Sequence, residues 1–118
     1  MTSEEAAWVA GFLEGEGYCG ITKNGKGYSI KLAVEQKFPR PLEEIQKLTG
    51  SGRLNKLNGR DAYRLAFRKD EIPAVVESVL PFLRYKEEQF LLLLEGIANP
   101  GSIGEYADTM KYLKASGR

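Results

Sequence analysis

The sequence predicts an α+β fold in the order αββαββα with a further helix appended, four antiparallel strands forming one sheet with helices on one face. Three observations predict it. Two turn signals, Asn24-Gly25-Lys26-Gly27 and Asn58-Gly59, each separate runs that alternate apolar and polar residues, the pattern of a hairpin with one buried face. Each hairpin is followed by a segment whose apolar residues recur at helical spacing. Glycine and proline punctuate the joins, at Phe38-Pro39-Arg40-Pro41, Thr49-Gly50, Pro81 and Pro100-Gly101.

Taken in order, residues 4–16 form the first helix, with Ser3 as N-cap and Glu4 and Glu5 in the first turn, where the helix dipole favours carboxylates. Tyr18 to Lys23 and Tyr28 to Gln36 form the first hairpin. In its second strand Tyr28, Ile30, Leu32 and Val34 share one face, and Ser29, Lys31, Ala33 and Glu35 the other. Leu42 to Leu48 is a helix closed by Thr49-Gly50. Arg53 to Leu57 and Asp61 to Phe67 form the second hairpin around a type I′ turn at Asn58-Gly59, with Tyr63, Leu65 and Phe67 inward and Ala62, Arg64 and Ala66 outward. Asp70 caps a helix to about Leu80, with Pro73 tolerated in its first turn. Lys86 to Ala98 is a leucine-rich helix, and a short amphipathic helix follows near Tyr106 to Leu113. The 118 residues suit one domain, with a core over about residues 4–98 and a helical tail within about 104–115.

Composition excludes several chemistries. Histidine is absent, which removes histidine-assisted nucleophiles, imidazole metal ligands and imidazole acid–base catalysis. A single cysteine, Cys19, allows no intrachain disulfide and suggests no zinc cluster. No apolar run reaches membrane-spanning length, and Met1-Thr2-Ser3-Glu4-Glu5 lacks a basic leader. A soluble intracellular protein is expected, with cytoplasm and organelle not distinguished.

The net charge of +1 conceals a strong asymmetry. Residues 1–17 carry four carboxylates and no basic group, whereas residues 18–68 carry eleven lysines and arginines against four carboxylates. A basic middle on a two-hairpin sheet is the electrostatic footprint of phosphate binding. With the apolar sheet face under helices, Thr22, Asn24, Ser29, Lys31, Asn55 and Arg64 project from the other, and these side-chain types read base edges in a major groove.

The segment Trp8-Val9-Ala10-Gly11-Phe12-Leu13-Glu14-Gly15-Glu16-Gly17 carries the chemistry. Glycines at i, i+4 let two helices approach closely, and Glu16 then falls at the bottom of a tight helix pair. A twofold partner brings a second carboxylate beside it, and two such carboxylates repel unless a cation such as Mg²⁺ lies between them. The Gly15 carbonyl is placed to complete the coordination. Glu14 faces another side and is not assigned to the metal.

Val9 to Gly17 resembles, position by position, the nine-residue motif of the LAGLIDADG homing endonucleases, with Glu16 at its last acidic position. The resemblance continues in Gln36-Lys37 with Arg40 three residues on, and in Pro81-Phe82-Leu83-Arg84-Tyr85-Lys86-Glu87-Glu88-Gln89, spanning roughly residues 6–98 in all. It implies that Gln36 positions a water, Lys86 polarises that water or the phosphate, and Arg40 supports the network. It also places Lys37 on DNA.

One motif per chain implies a homodimer packed through Trp8, Gly11, Phe12 and Gly15. Its partner is a near-palindromic double-stranded DNA, and its cofactor is Mg²⁺ or Mn²⁺ without any small-molecule cofactor or membrane. The implied reaction is metal-dependent phosphodiester hydrolysis. Other readings are a non-cleaving module of the same fold that binds DNA or RNA, one half of a two-motif protein, and an unrelated interaction domain.

Overall fold

The alternation in the two hairpins becomes a two-faced sheet in the computed structural model, which describes residues 1–117. The element order is α1 (Ser3–Glu16), β1 (Gly17–Asn24), β2 (Gly27–Gln36), α2 (Arg40–Thr49), β3 (Arg53–Lys56), β4 (Tyr63–Phe67), α3 (Ile72–Val79), α4 (Glu87–Ala98) and α5 (Ile103–Ala115). Single 3₁₀ turns at Leu80–Phe82 and Pro100–Ser102 join the last three helices. The strands lie in the order β1-β2-β4-β3, every pair antiparallel.

Register sets the faces. Cys19 pairs with Leu32 and Ile21 with Ile30, and Leu32 with Phe67 and Val34 with Leu65. These rows face the helices, where Leu32, Val34 and Leu65 are almost wholly buried. α1 contributes Ala6, Val9, Ala10 and Leu13 to the same core. Each fully buried side chain of this size stabilises the fold by about 1.5–3 kcal/mol, and truncating Leu13 to alanine costs about 2–5 kcal/mol. The intervening residues face outward: Thr22 pairs with Ser29, and Glu35, Arg64 and Asn55 form one row across β2, β4 and β3.

Four local expectations are corrected. The α1 cap is Thr2 rather than Ser3: its hydroxyl accepts the Glu5 N–H at 3.1 Å, while the Glu5 carboxylate accepts the Thr2 N–H at 2.8 Å. This reciprocal box needs a carboxylate three residues after the cap, which Glu5 gives to Thr2. The β3–β4 connection is not a type I′ turn, because only Gly59 has positive φ and Asn58 does not. It is a longer loop closed by the Leu57 N–H to the Ala62 carbonyl. Asp70 does not cap α3. It pairs with Arg68 at 3.1 Å, and Glu71 takes the Arg68 and Gly52 N–H groups instead. Finally, the C-terminal helix is longer than its apolar pattern indicates and buries Met110 and Leu113, lying against β1 and α4.

Candidate active site

The last turn of α1 runs into β1 with no loop, because Gly17 changes from helix to extended backbone in one residue (φ −87°, ψ 163°). A Cβ there would collide with the Leu13 carbonyl, so the junction requires glycine. Glu14 and Glu16 are thereby fixed on different sides of the helix foot.

Glu14 points at the loop before α4. Its Oε2 accepts the N–H groups of Arg84, Tyr85 and Lys86 at 2.8, 2.6 and 2.8 Å. Burial pushes its carboxyl up, but the three donors and the Lys86 ammonium outweigh this and hold it below the ordinary value. No side chain of the 84–86 segment caps α4, so Glu14 from α1 does that work across the fold. Glu16 is exposed and makes no hydrogen bond or ion pair among the described residues.

The clamp on its backbone fixes where Lys86 begins. Its Nζ reaches the Gly17 carbonyl at 3.5 Å, beside Glu16. A cleft of about 330 Å³ opens here, lined among others by Gly17, Cys19, Lys86, Gln89 and Lys114. Cys19 donates its thiol to Gln89 Oε1 at 3.4 Å, and burial pushes that thiol up to about 11, so it is neutral. Lys114 Nζ lies 4.1 Å from the centre of the Tyr18 ring. Burial lowers its pKa, opposed by Cys19 and reinforced by Lys86.

Gln36 is the last residue of β2, half-buried, and pairs with Tyr63. Since Gly17 pairs with Val34, Gln36 falls two residues beyond, level with the last turn of α1. Arg40 opens α2, exposed. No hydrogen bond or ion pair joins either to Glu16 or Lys86 among the described residues. Lys86 thus reaches the backbone next to Glu16 within one chain, while no such contact brings Gln36 or Arg40 to either residue among the described residues.

The open face holds Thr22, Asn24, Ser29, Lys31, Asn55 and Arg64 as the alternation requires. Asn24 Nδ2 donates to Ser29 Oγ at 3.2 Å across the hairpin, and Lys37 lies past the strand end, over the exposed Phe38 ring. Arg64 donates through Nε and Nη2 to Glu35 Oε2 at 3.0 and 2.6 Å, and Arg60 donates to Oε1 at 3.2 Å. The Arg64 hydrogen bond is the main cause that holds the Glu35 carboxyl below its ordinary value.

The outer side of α1 presents Ala7, Gly11 and Gly15 beside Trp8 and Phe12, whose rings lie 5.5 Å apart. A groove of about 680 Å³ runs along it, walled by Phe82, Arg84 and Tyr85. A Cβ at Gly11 or Gly15 would meet nothing within 4 Å.

A divalent cation finds part of a site here. Glu16 offers a free carboxylate, and Gly15 lies among the final residues of the helix, whose carbonyls lack intrahelical donors. Among the described residues no three acidic, histidine or cysteine groups converge. The donor chemistry fits Mg²⁺, with the coordination incomplete in one chain.

This architecture recurs in solved structures. Two complexes of the homing endonuclease I-CvuI with DNA targets, one in the presence of Mg and one of Ca, are 25% and 26% identical to this chain. Their TM-scores are 0.78 and 0.76, each over 93% of this chain and 82% of the other. The archaeal intron-encoded homing endonuclease I-Vdi141I complexed with DNA matches at TM-score 0.83 and 17% identity, over 93% of this chain and 84% of that one. The LAGLIDADG meganuclease I-AabMI, bound to uncleaved DNA, matches at TM-score 0.74 and 19% identity.

The fold is that of the LAGLIDADG homing endonucleases.

In this LAGLIDADG frame the chain spans 96% of its own length on I-AabMI but only 44% of that larger protein. No protein-family model matches the sequence, and no curated protein matches it either. The structure adds residues that sequence reasoning missed. Gln89 carried a signal: it is a polar residue on the stripe with Leu92, Leu93 and Gly96 that faces the core. Lys114 carried none, lying beyond the span of the motif resemblance.

Proposed function

We propose that the protein is a metal-dependent DNA endonuclease that acts as a homodimer on near-palindromic double-stranded sites. The observation that carries this reading is the foot of α1, where the exposed Glu16 carboxylate has no partner among the described residues and the Lys86 ammonium reaches the adjoining Gly17 carbonyl. Bound there, Mg²⁺ or Mn²⁺ supplies a Lewis acid and an activated water. Lys86 offers its ammonium to the phosphate, Gln36 orients water from the end of β2, and Arg40 reinforces the positive potential at the same edge. The open sheet face supplies contacts to the duplex through Thr22, Asn24, Ser29, Lys31, Lys37, Asn55 and Arg64. The DNA complexes of the I-CvuI relatives support this partner.

The homodimer follows from the outer face of α1. A glycine inside a helix, as at Gly11, costs about 1 kcal/mol relative to alanine, and neither Gly11 nor Gly15 is demanded by packing within the chain. A second copy of the same helix gives both a reason, and it brings the second Glu16 that the metal needs. Trp8, 42% exposed, and Phe12 then flank the seam.

Cleavage of a randomised palindromic duplex library with Mg²⁺, with Glu16→Gln in parallel, tests the function. Cuts made only by the wild-type chain are expected, and they reveal the site. Selective retention of DNA by both proteins without cuts favours the second reading, a binding module of the same fold.

A further inference from the structure

Two lysines from different helical segments, Lys86 at the start of α4 and Lys114 near the end of α5, stand at one cleft without a free counter-ion among the described residues. Lys86 and Lys114 both line the 330 Å³ cleft at the foot of α1. Neither ammonium lies within 4 Å of a carboxylate among the described residues. Glu14 attracts Lys86 electrostatically, but its oxygens are occupied by three backbone N–H groups. Two other polar groups of the cleft, the Cys19 thiol and the Gln89 amide, carry no charge, and the thiol donates to Gln89 Oε1. Like charges repel, and placing two of them together is unfavourable unless an anion enters between them.

Both ammonium groups are also held in place. Lys86 is tied at its backbone by Glu14 and at Nζ by the Gly17 carbonyl. Lys114 is seated on the Tyr18 ring. Tyr18 belongs to the open sheet face, so Lys114 stands where that face meets the cleft, at the β1 edge.

We propose that Lys114 is a second phosphate-binding cation of the active site, clamping with Lys86 the DNA backbone phosphate that enters beside Glu16. The proposal rests on the nuclease reading and deepens it. Two point charges on one side of the phosphate offset the repulsion between that phosphate and the Glu16 carboxylate, and α5 thereby joins the substrate contacts.

The test is the salt dependence of binding to the site recovered from the library, measured with Ca²⁺ in place of Mg²⁺. Lys114→Met keeps the apolar stem that covers Tyr18 and removes the charge. Lys114→Arg restores the charge, and Lys47→Met on α2, away from the sheet face, is the control. The slope of log affinity against log salt is expected to fall by about 0.9 for each Lys114 in the complex, with Arg restoring it and Lys47→Met leaving it unchanged. A Lys114→Met slope equal to wild type, with or without a lower Tm, overturns the clamp and leaves the nuclease reading intact. Failure of the wild-type chain to bind any duplex at low salt overturns that reading and the clamp with it.

Discussion

At the foot of α1 two carboxylates separated by one glycine face different surroundings. Glu14 is turned into the fold, where three N–H groups from the 84–86 segment surround one of its oxygens. Glu16 is turned out, exposed, with no partner among the described residues. The same side-chain chemistry thus serves two ends: one carboxylate fixes the backbone that carries Lys86, and the other stays available for a cation. Helix geometry explains the division, since residues two apart lie on different sides of a helix. The comparison also teaches that the acidic character of a motif position does not by itself say whether it builds the site or works in it.

The largest effect that breaks the comparison is expected in activity. Glu16→Ala should lower the cleavage rate by at least about 10³-fold, consistent with several kcal/mol of lost metal-centred stabilisation, while the unfolding free energy stays within about 0.5 kcal/mol of wild type, as for an exposed side chain. If thermal melts show that Glu16→Ala destabilises the chain as much as Glu14→Ala, the division of labour is wrong.

Next in size is the dimer. Gly11→Leu places a bulky side chain on the outer face of α1, where the protomer has room for it. Sedimentation should show a monomer, with the dimer weakened by about 100-fold or more, roughly 2.7 kcal/mol, and cleavage lost. A dimer that persists would show that α1 does not form the seam. In the absence of divalent cations, Glu16→Gln should instead tighten the dimer by removing the repulsion between the two carboxylates.

Glu14→Ala should cost about 1–2 kcal/mol of stability, the range for a lost charged helix cap, and should lower cleavage through misplacement of Lys86. Glu14 also gives a pH signature. Because its folded pKa lies below the ordinary 4.5, its stabilisation is complete above that value and fades as pH falls through the lower folded one. Urea melts between pH 5 and pH 3 should therefore show a steeper loss of stability for wild type than for Glu14→Gln. Parallel curves would remove Glu14 from the account.

The smallest effect concerns the head of the same helix. Thr2→Ala should destabilise by about 1 kcal/mol and Ser3→Ala by much less, measured by thermal denaturation. Equal losses would restore Ser3 as the cap.

Legibility in the sequence varied with the range of the interaction that decides each feature. The faces of β2 and β4 were readable because alternation is local and the pleat has period two, so Leu32, Val34, Leu65 and Phe67 were assigned inward without a tertiary contact. The cap was misplaced by one residue because Thr2 and Ser3 both carry a hydroxyl able to accept a backbone N–H, and only the reach of Glu5 chooses between them. The Asn58-Gly59 signal was over-read because the hairpin closes further out, through Leu57 and Ala62. Asp70 lost the helix start to a competing ion pair with Arg68.

The sequence by itself determined the element order, the inward and outward faces of both hairpins and the glycine spacing on α1. These depend on periodicity and on neighbours within a few residues. Only the tertiary structure decided that Glu14 caps a segment 70 residues away, that Cys19 is joined to Gln89, and that Lys114 arrives beside Lys86. Such contacts depend on how far each helix slides along the sheet, a quantity set by the packing of the whole core and written in no short stretch of the chain.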